Sequence, residues 1–119
     1  MGKENFFSDL KQKADEYVHL VYKITKHFPK EEMYGVSSQT RRATLSIILN
    51  YIEGFARQRM AVRRNFWQIS YGSLKESKYL LNFSLIEGYL SQEEYDKAIA
   101  LAEEIGAMLW TVLQSIKSS

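Results

Sequence analysis

The chain has no cysteine, one proline and six glycines among its 119 residues. The missing thiols exclude a disulfide-stapled scaffold and any cysteine nucleophile, and so little proline and glycine excludes a collagen-like or low-complexity chain. No run of about 18 uncharged apolar residues is present, so no segment is expected to cross a bilayer, and no basic-then-apolar leader opens the chain. The expected location is the cytoplasm, with no membrane partner. Catalytic signatures are missing as well: there is no glycine-rich phosphate loop, no Gly-x-Ser-x-Gly elbow and no His-Glu-x-x-His pair. His19 and His27 stand eight residues apart, too far to share a metal without other ligands. Acidic pairs such as Glu103 and Glu104 lack the Glu-x-x-His spacing of di-iron bundles. No enzyme activity, catalytic residue, cofactor or metal is expected.

What is present is 45% hydrophobic and 25% charged residues with a net charge of +2, enough apolar material for one core over residues 1–119. Apolar residues recur at three- and four-residue spacing between the few breakers, which predicts four helices at about 7–28, 38–57, 63–87 and 92–116. Pro29 ends the first, because its ring disfavours a helical Phe28. Ser37 or Ser38 is the expected cap of the second, and Gly88 closes the third in a left-handed conformation. Ser91 and Glu94 form a capping box for the fourth. Short connections favour an all-α, antiparallel up-down-up-down four-helix bundle.

The second helix departs from a one-sided stripe. Leu45, Ile47, Ile48, Leu49, Ile52 and Phe55 surround it, so more than one side must be covered, which predicts a subunit interface. Its polar residues, including Gln39, Arg42, Ser46, Asn50, Glu53 and Arg57, fall on one narrow line. The third helix carries Ser70, Ser73, Ser77 and Ser84 at helical spacing beside Gly72, small residues that let another helix come close. Glu76 lies one turn beyond, and Arg42, Asn50, Glu53 and Glu76 are expected to form one structural network. A buried carboxylate and guanidinium are tolerated only when paired.

The cations are segregated. All six arginines lie between Arg41 and Arg64 and all ten lysines outside, so residues 37–64 carry +5 against a net of +2 for the chain. Arg57, Arg59, Arg63 and Arg64 cluster where the second helix meets the third and are the candidate nucleic-acid-binding residues, since guanidinium groups grip phosphates bidentately. Arg59 and Arg63 are the expected probes, lying outside the polar line. Phe66 and Trp67 either stack on bases or belong to the core. The competing use of the cluster is salt bridging between subunits to the acidic last helix, in which case the protein is a scaffold or accessory subunit for an unknown protein partner.

The ordered residues Phe28-Pro29, Glu32, Gly35, Ser38-Gln39, Arg41-Arg42-Ala43, Ser46-Ile47, Asn50, Glu53-Gly54 and Tyr71-Gly72-Ser73 with Glu76 resemble the four-helix-bundle family associated with 23S ribosomal RNA intervening sequences. The family's Asn-x-Ala-Glu-Gly motif reads Asn50-Tyr51-Ile52-Glu53-Gly54 here. The resemblance implies a homopentameric barrel. Accessory variability proteins of diversity-generating retroelements share that architecture, and the likeness to them implies RNA or DNA as a partner.

Overall fold

The computed structural model describes residues 3–116. Among them are four α-helices, α1 (Lys3–Thr25), α2 (Val36–Phe55), α3 (Met60–Ile86) and α4 (Gln92–Ser115), one 3-10 turn at Lys30–Glu32, and no strand. No helix of the described residues is long and apolar enough to cross a membrane.

The core is built from one face of each helix. Leu10, Tyr17 and Val21 of α1 meet Ile47 and Tyr51 of α2, Leu74 and Leu81 of α3, and Ile105 and Leu109 of α4, all at most 1% exposed. Polar atoms trapped there are paired. The Tyr17 and Ser77 hydroxyls lie 2.8 Å apart, and Ser77 and Ser84 donate back to the Leu74 and Leu80 carbonyls. Burial pushes the Tyr17 phenol up to about 12, partly offset by its bond to Ser77.

The closest pairing is between α2 and α3. Ser70 donates to the Ile47 carbonyl at 2.6 Å, Ser46 and Ser73 touch through their hydroxyls at 2.7 Å, and the Trp67 indole donates to the Tyr51 carbonyl at 3.0 Å. Later residues of α2 therefore meet earlier residues of α3. The serine stripe does what its spacing predicts, since its small side chains bring one helix within hydrogen-bonding reach of the other's backbone. Gly54 completes the contact, because a Cβ there would collide with the Trp67 indole.

Helix ends differ from expectation where the cap is not local. α1 stops at Thr25 rather than 28, with His27 and Phe28 bonding to the Ile24 and Thr25 carbonyls in a tightened turn before Pro29. α2 begins at Val36 and is not capped by Ser37 or Ser38; its cap residue is Gly35, and the Glu32 carboxylate accepts from the Val36 N–H at 3.2 Å. α3 starts at Met60, three residues earlier than predicted. Gly88 has φ +81°, and the Ser91–Glu94 capping box opens α4 as expected.

Glu32 also accepts from the Tyr89 hydroxyl at 2.8 Å, tying the α3–α4 connection to the start of α2. That bond to a carboxylate pushes the Tyr89 phenol up to about 12.

Candidate functional site

The arginine cluster divides by use. Arg63 lies beneath the end of α2, where its guanidinium donates to the carbonyls of Gly54 at 3.1 Å, Phe55 at 3.3 Å and Arg57 at 2.7 Å. The Gly54 and Phe55 carbonyls end α2, where a helix leaves acceptors without intrahelical partners, the Arg57 carbonyl lies just beyond it, and a cation also offsets the negative end of the helix dipole. Arg63 is thus a capping residue, whatever else its guanidinium contacts. Arg41 does the same for α1. It donates to the Thr25 hydroxyl at 2.8 Å and the Tyr22 carbonyl at 3.3 Å, with its guanidinium 4.7 Å from the centre of the Tyr22 ring. Arginine rather than lysine is required at both places, because one planar group must donate in several directions.

Arg57 pairs with Glu53 at 2.9 Å on the surface and lies 5.2 Å above the Phe66 ring. Arg59 is exposed, immediately before α3. Arg64 is half-buried, and its Nε is enclosed with no acceptor among the described residues. Trp67 is 2% exposed and packed against Phe7, Tyr51 and Phe55, so it belongs to the core and not to a base-stacking platform. The carboxylates of α4 pair with lysines instead of arginines: Lys13 with Glu104 at 3.2 Å, and Lys78 with Glu103. Lys78 holds the Glu103 carboxyl below the usual range.

The four residues expected to form one network are not joined within a single chain. Asn50 donates to the carbonyl and hydroxyl of Ser46, both at 2.9 Å, and Ser46 touches Ser73, making a small amide and hydroxyl cluster between α2 and α3. Glu53 is taken by Arg57. Arg42 and Glu76 are both exposed, and among the described residues neither has a hydrogen bond or ion pair. Ion pairs close elsewhere on the surface, yet these two opposite charges at matching levels of adjacent helices are left out.

Around them the surface is apolar. Leu45, Leu49 and Ile52 of α2 are 36%, 56% and 42% exposed, and Ile69, Tyr79 and Ile86 of α3 are 45%, 66% and 75% exposed. Ile48 is buried, so the circumferential pattern of α2 resolves into one face in the core and one face open. The open face borders a groove of about 870 Å³ between the end of α1, the Pro29 turn and α2. Tyr22, Phe28, Met33, Tyr34, Leu45 and Leu49 give it an apolar floor. Lys26, Lys30, Arg41 and Arg42 edge it, and no carboxylate lines it. His19 and His27 are exposed, His19 lying 3.5 Å from Asp15, and no group of three metal-ligating side chains occurs among the described residues.

A family model described as 23S rRNA-intervening sequence protein matches residues 8–111 of the chain, the span that holds the joined α2–α3 pair, the Pro29–Glu32–Gly35 corner and the Gly54–Trp67 contact. The chain belongs to that family. It is similar in structure to a protein of unknown function from the S23 ribosomal protein family of Bacteroides thetaiotaomicron, with a TM-score of 0.85 at 23% identity over 92% of this chain and 98% of the other. No curated protein matches it.

For this member of the 23S rRNA-intervening sequence protein family, several of the residues that carry the resemblance have structural jobs. Glu32 caps α2, Arg41 caps α1, Ser46 and Ser73 join α2 to α3, and Gly54 admits Trp67. Ile52, which replaces the motif's alanine, points to the open face and not into a tight packing site.

Arg63→Ala is therefore expected to lower unfolding stability by about 1–2 kcal/mol through removal of the carbonyl bonds, whereas Arg59→Ala should stay within about 0.5 kcal/mol of the parent. Urea denaturation checks this, and equal effects of the two substitutions would contradict the division.

Proposed function

We propose that this chain is a non-enzymatic building block, an antiparallel up-down-up-down bundle whose copies assemble into a closed homo-oligomeric barrel in the cytoplasm, five to a ring by its resemblance. The observation that supports this is the open face of α2 and α3. Of the large apolar side chains exposed among the described residues, all but Trp110 fall between Met33 and Ile86. Each Leu, Ile or Tyr fully taken from water recovers about 1.5–3 kcal/mol, and contiguous apolar patches of this kind mark contact surfaces. A ring is favoured because two different strips, one on α2 and one on α3, are available for head-to-tail contact.

A second role is supported by the remaining arginines. With Arg63 occupied, Arg59 and Arg64, beside the partly engaged Arg57, make the nucleic-acid surface at the α2–α3 turn. The feature that favours an anion there is that neither the exposed Arg59 nor the half-buried Arg64 has an acceptor among the described residues. Repetition around a ring multiplies a weak site. If that surface takes no nucleic acid, the assembly is a scaffold or accessory subunit for a protein partner.

Light scattering at micromolar concentration is expected to give several times the 13.9 kDa chain mass, falling toward it in Leu49→Asp. A wild-type mass of 13.9 kDa would contradict assembly. Fluorescence anisotropy with labelled single-stranded RNA and duplex DNA should show sequence-tolerant binding that weakens steeply with salt. Arg59→Ala with Arg64→Ala should flatten the log-log salt slope by about 0.7–0.9 for each phosphate that is no longer neutralised. An undiminished affinity in that variant, or no binding at low salt, would leave the scaffold role alone.

A further inference from the structure

Two strips of exposed residues with coiled-coil spacing run along neighbouring helices. On α2 and its cap residue, Arg42, Leu45, Leu49, Ile52 and Ala56 follow a three-four-three-four spacing, and on α3, Ile69, Gly72, Glu76, Tyr79, Phe83 and Ile86 follow three-four-three-four-three. All are exposed except the half-buried Phe83. Such spacing keeps one side of a helix facing a partner helix over several turns. Neither strip has that partner within the chain, where the core-facing residues of α2 and α3 lie on other sides.

The two strips are in register. Ser46 touches Ser73, Ile47 meets Ser70 and Tyr51 meets Trp67. Continuing that pairing along the helices sets Arg42 level with Glu76 and Leu49 level with Ile69. Rotation about an axis parallel to the helices preserves level, so a copy placed head-to-tail in a ring presents its α3 strip to this α2 strip with the same residues opposite one another. The groove beside α2 holds four cations and no carboxylate, while the α3 strip carries Glu76 and is followed by Glu87.

We propose that the apolar groove between the end of α1, the Pro29 turn and α2 receives the C-terminal half of α3 from a second copy of this chain, in a head-to-tail register that pairs Arg42 with Glu76 of the partner subunit. The occupant is a second copy because charge and spacing are complementary between two strips of one sequence. In that register Ile69 and Gly72 of the partner subunit come level with Leu49 and Leu45, and Phe83 and Ile86 of the partner subunit cover the wall formed by Met33 and Tyr34. Lys30, at the rim, comes level with Glu87 of the partner subunit, since the Glu32–Tyr89 bond places the ends of the two elements together. Opposite charges at such a boundary set register and reject a slipped or inverted contact. The inference rests on the assembly reading and adds which surfaces meet and in which direction.

Reversing the charges tests it. Arg42→Glu and Glu76→Arg are each expected to weaken association at least tenfold by sedimentation velocity, with helical circular dichroism unchanged, and the double variant should regain most of the parent affinity. Singles without effect, or a double variant as weak as the singles, would overturn the register while the wild-type mass still reported assembly; a monomeric wild type would overturn both. Because the chain has no cysteine, separately tagged Arg42→Cys and Glu76→Cys chains can be mixed and oxidised. A disulfide between unlike chains is expected. Dimers only of like chains would mean a face-to-face contact and would overturn the proposal even if the charge variants misfold.

Discussion

The near contact of α2 with α3 determines most of what surrounds it. Serine hydroxyls and the Trp67 indole reach the backbone or side chains of α2 across the seam, and Gly54 removes the one Cβ that would block the indole. Hydroxyls that bond to carbonyls let polar residues occupy a buried seam without leaving orphaned donors. Two helices held this closely act as one slab. Its inner side is roofed by α1 and α4, and its outer side is left with apolar strips on both helices.

Arginine placement follows from that slab. The abrupt ends of α1 and α2 leave carbonyls that need donors, and Arg41 and Arg63 reach back from the next helix to supply them. A segregation of arginine that reads as a nucleic-acid signature is therefore in part a solution to helix termination. The cations left without a protein acceptor are Arg42 on the open face and Arg59 and Arg64 at the turn, and the Arg64 Nε is itself enclosed.

Much of this is legible from residue order. Local signals hold: the Ser91–Glu94 box, the left-handed Gly88, and the serine spacing that predicts a close neighbour. The apolar circumference of α2 indicates two faces in need of cover, one of which the chain supplies. What escapes sequence reading is non-local. Glu32 capping α2 in place of Ser37 or Ser38, Tyr89 bonding to Glu32, and Arg63 serving three carbonyls all depend on how separate elements meet. The Pro29–Glu32–Gly35 spacing is the available sign of that corner. Residue order suggests that Arg42 and Glu76 meet across a helix pair, and within one chain the register sets them level without joining them, because both lie on the outward strips.

The central claim is that the outer face of α2 and α3 is covered by another copy of the chain. Hydroxyl-radical footprinting of the wild-type protein tests it residue by residue, since Tyr34, Leu49 and Tyr79 are 92%, 56% and 66% exposed in the single chain and Trp110, away from that face, is 53% exposed. Protection of the first three relative to Trp110, disappearing on dilution to monomer, is the predicted result. Modification of all four in proportion to their exposure in the single chain, at micromolar concentration, would contradict it.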